Sequence, residues 1–354
     1  MSNQTLSILQ KAANPKKEKY NIITFDTHER YQTMMARTGH NFYSFQYDGC
    51  KQWVDAYGKK PDNYYTLPKN ALVNGIDFDF ILSHSKFGQF QFAKQMQQVF
   101  RIPLISLEHT LPIPSWPEQQ LREMRAMTGD QNVFISKFSA RRWGIFPHTV
   151  IKHGMDTEQF KPAFTSEMVK VREDSFTDVY TDEERITYLP RDNVILSVVN
   201  DYKARDYCCN YAGWERITKD LPTRLVGTSP EPEFSKAAEN LDELTASYQR
   251  SAIFLNTSTV SPVPTSLLEA MACGCAVVTT ATCMLPEIIK NGVNGFISND
   301  ESELRDYLQQ LMTDHKLAKT LGQAARETVI KDFSVDVFVN NWNAVFDTAY
   351  GAKR

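Results

Sequence analysis

The sequence predicts an α/β protein made of two Rossmann-like domains in tandem. Short apolar segments alternate with amphipathic ones along the chain, which is typical of parallel sheets with helices on both faces. This alternation pauses once, in the polar stretch 162–192, and then begins again. The length of 354 residues also suits two domains of ordinary size. Because open α/β sheets bind ligands beyond the carboxyl ends of their strands, we expect the site in a cleft between two facing domains.

The first half contains six predicted strands, each a short apolar run. The segment 20–25 is the first of them, and the helix that follows over 29–37 ends at Gly39, since glycine commonly stops a helix. A second helix is predicted over 89–99. The remaining strands are predicted at 41–45, 78–83, 103–107, 132–136 and 149–152.

The second half repeats the pattern after the stretch 162–192, whose charges indicate a solvated connector between domains. Leucines at helical spacing predict a helical tail from residue 301 onward. We therefore predict a first domain over 1–165, a second over 166–335 and a terminal helix over 336–354. The predicted strands of the second domain are 194–199, 223–227, 252–256 and 276–279, and its helices are 211–219, 241–250, 265–272 and 286–290.

The composition excludes several classes of protein. Hydrophobic residues make up 42% and charged residues 23%, which excludes long disorder and collagen-like chains. The net charge of -3 excludes a surface uniformly adapted to nucleic acid, although a local basic patch stays open. No apolar run approaches the roughly 20 residues that cross a bilayer, and the N-terminus has no apolar signal core. Six cysteines without a C-x-x-C pair indicate reduced thiols. We therefore expect a cytoplasmic protein, and the lack of a long apolar run predicts that it has no transmembrane segment.

The window 261–296 carries the densest chemical signal. Thr265 or Ser266 is suited to cap a helix that begins there, and the start of a helix suits an anion such as phosphate. Glu269 is the only charged residue between Leu267 and Val278. A lone carboxylate in so apolar a helix is costly unless it meets hydroxyls or a cation. The hydroxyls of a ribose would supply such a partner. Alternatively, Glu269 is a structural residue that bonds to the backbone.

Two motifs carry a resemblance to a known family. The run L-L-E-A-M-A-C-G-C-A-V-V-T-T, followed by P-E-I-I-K-N-G-V-N-G-F, resembles the donor-site signature of the family 4 glycosyltransferases. The run V-I-K-H-G-M-D-T-E-Q-F-K-P at 150–162 resembles the segment that ends the family's first domain. The resemblance covers 20–342 and implies the GT-B fold, with two Rossmann-like domains facing a central cleft and a C-terminal helix crossing back to the first. It makes 1–165 the acceptor side and 166–335 the donor-binding side.

The resemblance assigns donor-binding roles in the second domain. Glu269 stands in the slot of the glutamate that binds the nucleotide ribose, and Ser261 replaces the glutamate that usually faces the donor sugar. Arg205 occupies the slot of a diphosphate-binding lysine, and Lys203 is a candidate second cation since Asn200 stands in the family's arginine slot. Thr265 and Ser266 complete the expected donor site, with backbone N–H groups near them facing the diphosphate.

The resemblance also implies roles for residues of the first domain. His109 follows the strand 103–107 and matches a histidine that reaches the donor sugar, so the expected catalytic residues are His109, Arg205 and Glu269. His84 resembles another histidine at the end of a strand. The loop 26–30 lacks the family's Gly-Gly pair, so Thr27, His28 and Arg30 either replace it with side chains or cap the helix.

Other signals are weaker. Asp77 and Asp79 spell D-x-D, a metal motif of a different glycosyltransferase fold, but they precede a strand and we interpret them as structural. Trp342 is expected to pack rather than bind. The basic segment 137–142, with Trp143 and Ile145, suits a membrane surface, DNA phosphates or simply a solvated helix face.

The function that these features imply is retaining transfer of a sugar from a nucleoside-diphosphate sugar, UDP- or GDP-linked, to an acceptor hydroxyl. No metal and no further cofactor are expected. The acceptor stays open among a glycan, a lipid head group and a hydroxymethylated DNA base of the kind that bacteriophage enzymes modify. Two alternatives stay open: a non-catalytic relative that binds nucleotide sugars or glycans, and a GT-B sugar-nucleotide epimerase. The sequence does not indicate an oligomeric state.

Overall fold

The structure, a computed structural model, describes residues 17–55, 58–69, 71–172, 180–231 and 233–351. The chain divides into two compact units, one of residues 1–154 together with 332–354 and the other of residues 155–331. The sequence placed these divisions at residues 165 and 335. Within the described residues, no helix combines the length and the apolar character that crossing a bilayer requires.

The first unit is built on a seven-stranded parallel sheet in the order β3-β2-β1-β4-β5-β6-β7. The two central strands β4 (Phe80–Ser83) and β5 (Leu104–Glu108) are buried at every position, as expected of a sheet covered on both faces. The other strands are β1 (Asn21–Thr24), β2 (Asn41–Ser44), β3 (Tyr64–Thr66), β6 (Gln131–Phe134) and β7 (Thr149–Val150).

Among the described residues, four helices connect these strands. Helix α1 (Glu29–Ala36) follows its N-cap residue His28. Gln32 stabilises this end of the helix, since its Oε1 accepts hydrogen bonds from the amides of Thr27 and His28 at 2.8 and 3.0 Å. The remaining three are α2 (Gln89–Phe100), α3 (Glu118–Ala126) and α4 (Lys137–Trp143).

The second unit contains a five-stranded parallel sheet in the order β11-β10-β12-β13-β14 and a separate antiparallel pair, β8-β9. The pair consists of β8 (Phe164–Arg172) and β9 (Tyr180–Tyr188). The stretch 162–192, predicted as a connector between domains, therefore contains regular strands that belong to the second unit. Charged residues interrupt both strands, at 167, 170 and 172 in β8 and at 182–185 in β9, so neither contains a long apolar run that a search for buried strands would find. The sheet strands are β10 (Asp192–Val198), β11 (Thr223–Val226), β12 (Ser251–Asn256), β13 (Ala276–Thr279) and β14 (Phe296–Ile297).

The helices of the second unit flank this sheet, and a wholly buried leucine stripe at 304, 308 and 311 packs against it. Their bounds are α5 (Asp206–Cys209), α6 (Tyr211–Thr218), α7 (Leu241–Arg250), α8 (Thr265–Ala272), α9 (Leu285–Ile288), α10 (Glu301–Thr313) and α11 (His315–Phe333).

The terminal helix α12 (Val335–Gly351) packs within the first unit. Trp342 is fully buried there, and its Nε1 donates to the hydroxyl of Tyr31 at 3.1 Å. Tyr20 donates to Asp347 at 2.8 Å. The expectation that Trp342 packs rather than binds is confirmed by this burial.

Candidate functional site

The loop after β12 and the start of α8 lie at the carboxyl edge of the second unit's sheet. Ser258 ties this loop to the one after β13, since its carbonyl accepts from the hydroxyls of Thr280 and Thr282 at 2.6 and 2.7 Å. We predicted Thr265 or Ser266 as the cap of α8, but the helix begins at Thr265 itself. The capping position is Pro264, which supplies no side-chain hydrogen bond. The first-turn amides of α8 therefore have no side-chain cap from that position, which suits them to an anion.

Glu269 is buried, with only 3% of its surface exposed. Its Oε2 accepts a hydrogen bond of 2.6 Å from the hydroxyl of Tyr248, a fully buried residue of α7. Such a bond is what a carboxylate in an apolar helix requires. The hydroxyl that bonds to Glu269 is therefore that of a tyrosine. A ribose bound here would share the carboxylate of Glu269 with Tyr248.

The two candidate phosphate-binding cations follow β10. Arg205 is exposed at the start of α5, and its Nη1 lies 3.5 Å from the carbonyl oxygen of Asn200. Lys203 forms an ion pair of 2.5 Å with Glu231, and its Nζ lies 4.3 Å from the ring centroid of Phe234. Arg205 is therefore placed to meet a ligand from solvent, whereas Lys203 must first give up its pair with Glu231.

Ser261 and Asn200 occupy loop positions at the same sheet edge. Ser261 is partly exposed in the loop between β12 and α8. Asn200 joins the loops after β10 and β11, because its Oδ1 accepts from the amide of Thr228 at 3.0 Å. Asn200 thus links two loops at the position where the family that the chain resembles has a diphosphate-binding arginine.

Histidines gather at the carboxyl edge of the first unit's sheet. His84 follows β4 and His109 follows β5, and their rings stack in parallel with centroids 5.8 Å apart. The ring of His28, which follows β1, lies 4.6 Å from that of His109. His28 is also the N-cap residue of α1, although its side chain forms no capping hydrogen bond.

His153 and Tyr31 complete this group, and the sequence argument did not single out either as a site residue. Tyr31 is central, with its ring centroid 4.5 Å from His109 and 5.2 Å from His153. His153 follows β7, so the rule that ligands sit at strand ends would have found it. Its Nδ1 is buried without a hydrogen-bond partner in the structure.

Burial keeps these imidazoles neutral. Desolvation lowers the pKa of His84 to about 3 and that of His153 to about 4. The pKa of His109 is also lowered well below its usual value, by burial first and then by the neighbouring histidines. A neutral imidazole carries one donor and one acceptor nitrogen, so the cluster is suited to hydroxyl groups rather than to anions.

Glu108 fixes the loops that carry His84 and His109, another residue that the sequence argument missed. Its Oε2 accepts from the amide of Lys86 at 3.0 Å, and its Oε1 accepts from the amide of Thr110 at 2.9 Å. Burial raises the pKa of this carboxyl group, while the hydrogen bonds from Thr110 oppose that shift. Glu108 therefore positions the histidines without facing a ligand itself.

Two further predictions concern residues away from this edge. Asp79 accepts from Lys17 at 2.7 Å and from the amide of Asn21 at 2.9 Å, so its structural interpretation is confirmed. In the basic segment 137–142, Arg141 and Arg142 are exposed. Trp143 and Ile145 are buried in a small apolar cluster and add no surface for a membrane.

Part of the second unit matches a family model. Residues 232–328 match the family model described as "Glycosyl transferases group 1". The chain is 24% identical over 229 residues to N-acetyl-alpha-D-glucosaminyl L-malate synthase of Bacillus anthracis, covering 56% of this chain and 58% of the relative. It is 26% identical over 188 residues to a sulfoquinovosyl transferase of Arabidopsis thaliana, covering 50% and 36%. The chain thus spans less than two thirds of the length of either relative.

Solved structures share the fold over nearly the whole chain. A sucrose-phosphate synthase from Thermosynechococcus elongatus aligns with a TM-score of 0.69 at 14% identity, covering 94% of this chain and 100% of that one. Anabaena HepE in complex with UDP-glucose aligns with a TM-score of 0.67 at 15% identity, covering 93% and 100%. The chain therefore has the GT-B fold of two Rossmann-like domains.

Proposed function

We propose that the chain is a retaining glycosyltransferase that moves a sugar from a nucleoside-diphosphate sugar, UDP- or GDP-linked, to an acceptor hydroxyl. The observation that carries the proposal is the start of α8, whose first-turn amides lie at the carboxyl edge of the second sheet inside the matched region 232–328. The fold shared with a UDP-glucose complex supports the same class of donor.

The diphosphate of the donor is the group that the second unit is best suited to hold. The N-terminal amides and dipole of α8 favour negative charge, and Arg205 adds an exposed guanidinium from the loop after β10. Charge builds on the departing phosphate oxygen as its bond to the sugar breaks, so these groups act most strongly in the transition state. Lys203 joins them only when the diphosphate displaces Glu231 from its ion pair.

Glu269 is proposed to bind the ribose of the nucleoside. The hydrogen bond from Tyr248 holds one carboxylate oxygen in place, so Tyr248 acts as a positioning residue. A carboxylate that is already oriented loses little freedom when a ribose hydroxyl donates to it.

The chemical step needs no protein nucleophile in a same-face substitution. The bond between the anomeric carbon and the phosphate oxygen breaks, and the acceptor oxygen bonds to the same face of that carbon. The acceptor proton passes to the departing phosphate oxygen, which balances charge. His109, held neutral by burial, is proposed to orient a hydroxyl of the donor sugar. Neither a metal nor another cofactor enters this scheme.

The direct test is to incubate the chain with UDP-glucose and GDP-mannose, each with and without a panel of acceptors. We expect nucleoside diphosphate release that depends on acceptor, and a product whose anomeric configuration by NMR equals that of the donor. Inversion at the anomeric carbon would contradict the retaining mechanism. Conversion of the donor sugar without acceptor would instead indicate an epimerase.

A non-catalytic binding protein is the second candidate, and Ser261 is the observation that favours it. A serine in that loop can donate or accept one hydrogen bond but cannot place a negative charge beside the donor sugar. Saturable binding of a nucleotide sugar without release of nucleoside diphosphate would support this candidate. Ser261→Glu would then be the informative variant, because gain of transfer would identify residue 261 as the missing group.

A further inference from the structure

Two adjacent cysteines lie side by side in the short helix α5 of the second unit. All six cysteines of the chain are among the described residues, and all are thiols. The sulfur atoms of Cys208 and Cys209 are 3.7 Å apart, compared with about 2.05 Å in a disulfide. Both side chains are buried in the apolar core of this unit. Neither takes part in the proposed glycosyl transfer.

The backbone of these two cysteines holds the loop 257–264, which joins β12 to α8. The carbonyl oxygen of Cys208 accepts from the amides of Thr259 and Val260 at 2.9 and 3.2 Å. The carbonyl oxygen of Cys209 accepts from the hydroxyl of Thr257 at 2.8 Å. Because this loop leads directly into the first turn of α8, the cysteine carbonyls help to position the proposed diphosphate site.

The same helix is bonded to the backbone of Arg205, the proposed diphosphate-binding cation. The carbonyl oxygen of Arg205 accepts from the amides of Cys208 and Cys209 at 3.1 and 2.9 Å. Helix α5 has only four residues and no side-chain cap at its start, and Tyr207 within it is 80% exposed. So short a helix opens locally at little cost in free energy, although its cysteines are buried. Helix α5 is thus a weakly held link between two parts of the proposed donor site.

A disulfide between the two cysteines would displace the acceptor that holds the loop. Consecutive Cα atoms are about 3.8 Å apart, less than the roughly 4.4–6.8 Å that a disulfide usually spans, so ring closure must twist the peptide between them. That peptide contains the carbonyl group of Cys208, which is the shared acceptor for the amides of Thr259 and Val260. Twisting it therefore breaks both hydrogen bonds and disrupts the turn that follows Arg205.

We propose that Cys208 and Cys209 form a redox switch. Exchange with a small disulfide such as oxidised glutathione joins the two sulfurs, releases the loop 257–264 and lowers the affinity of the second unit for a nucleoside diphosphate. The loss of nucleotide affinity rests on the proposed donor function, whereas the formation of the disulfide and the release of the loop do not.

The exchange conserves atoms and electrons over two steps. One cysteine thiolate attacks a sulfur of oxidised glutathione, the S–S bond there breaks, and one glutathione thiolate leaves. The neighbouring cysteine thiolate attacks the mixed disulfide and releases the second glutathione. Two protein thiols are oxidised to one disulfide, the small disulfide is reduced to two thiols, and the two protons pass to the departing sulfurs. Burial raises the pKa of Cys209 to about 11, so the reaction proceeds when α5 opens to solvent.

The test compares the full chain before treatment with oxidised glutathione, after it, and after subsequent reduction by dithiothreitol. Trypsin cleaves after Arg205 and Arg216 and releases the peptide 206–216, which contains Cys208 and Cys209 but no other cysteine. The mass of this peptide reports the disulfide. Hydrogen exchange of the segment 257–260 reports release of the loop, and calorimetric titration with UDP and with GDP reports nucleotide binding.

Two cysteine variants separate the switch from general oxidation. Cys209→Ala removes one of the two sulfurs, and Cys208→Ala replaces it if the first variant does not fold. Cys283→Ala is the matched control, because its Sγ lies 3.8 Å from the carbonyl oxygen of Thr259, beside the same loop. It should respond to oxidation as the parent chain does.

In the oxidised parent chain, we expect the peptide 206–216 to lose two hydrogen atoms in mass. The amides of Thr259 and Val260 should exchange about tenfold faster or more, and the Kd for nucleotide should rise about tenfold. Dithiothreitol should reverse all three changes, and Cys209→Ala should show neither the disulfide nor the weaker binding.

Four results would each overturn the proposal: a stable glutathione adduct in place of the disulfide, unchanged exchange of the two amides, unchanged nucleotide affinity once the disulfide has formed, or an equal loss of affinity in Cys209→Ala. If neither UDP nor GDP binds the reduced chain, the proposed donor function fails. A disulfide with faster exchange of the loop amides would then still uphold the switch.

Discussion

The carboxyl edges of the two sheets are built in different ways. In the second unit, the loop after β12 and helix α8, which carries Glu269, form one continuous stretch of 16 residues, 257–272. In the first unit, His28, His84, His109 and His153 come from the ends of four different strands. A local site leaves a contiguous motif in the sequence, whereas a site assembled from many strand ends does not.

Among substitutions that test the two sheet edges separately, the largest effect on activity is expected at Arg205 in the second unit. Arg205→Ala should lower kcat/KM for the donor by about 10²-fold, the scale of losing one preorganised contact to a developing charge. Since Arg205 is exposed, the variant should unfold at the same temperature as the parent chain. Arg216→Ala, which removes another exposed arginine of the same unit, is the control and should keep full activity. Normal activity in the Arg205 variant would contradict the proposal that Arg205 binds the diphosphate of the donor.

The next effect concerns the buried carboxylate of Glu269. Glu269→Gln keeps a group that can bond to Tyr248 but loses the negative charge, so the donor KM should rise by about tenfold through a weaker bond to the ribose. Tyr248→Phe should raise the same KM less and destabilise the chain by about 1–3 kcal/mol, because a buried carboxylate loses a hydrogen bond. If Glu269→Gln destabilised the chain but left donor KM unchanged, Glu269 would be a structural residue only.

The pH dependence of stability probes the first unit. His84 and His153 have folded pKa values of about 3 and 4, below the unfolded value near 6.5, so the unfolded chain binds more protons below pH 6.5. Stability is therefore lost as pH falls from 6.5 toward 4, by about 1.4 kcal/mol per pH unit for each such histidine, and is unaffected by them above pH 7. His84→Asn should flatten the fall in unfolding temperature between pH 7 and pH 5. An unchanged slope would show that His84 is not held neutral.

The smallest effect is expected at the ion pair of Lys203. Glu231→Gln frees the lysine for the diphosphate, and because the pair is half-exposed it contributes at most about 1 kcal/mol. Donor KM should fall by two- to fivefold at low salt and by less at high salt, where surface charges are screened. Lys203→Ala should raise the same KM by a similar factor, and no change in either variant would exclude Lys203 from the donor site.

The sequence predicted the alternating fold, most core strands and the position of α8, because burial of apolar runs and helix periodicity are local properties. It missed β3, β14 and the β8-β9 pair, which are short or are interrupted by charged residues. The contact between Glu269 and Tyr248 could not be predicted, because the two residues lie 21 positions apart on different helices, α7 and α8. The same reason hid Glu108 and Gln32, whose roles depend on which loops the fold brings together.

The central claim is that the second unit binds the nucleoside diphosphate of a sugar donor. Calorimetric titration of the chain with UDP and with GDP tests it most directly. We expect saturable binding of one of them, weakened about tenfold or more by Arg205→Ala and unchanged by the control Arg216→Ala. If neither nucleotide binds, or if the Arg205 variant binds as tightly as the parent chain, the account of the donor site is contradicted.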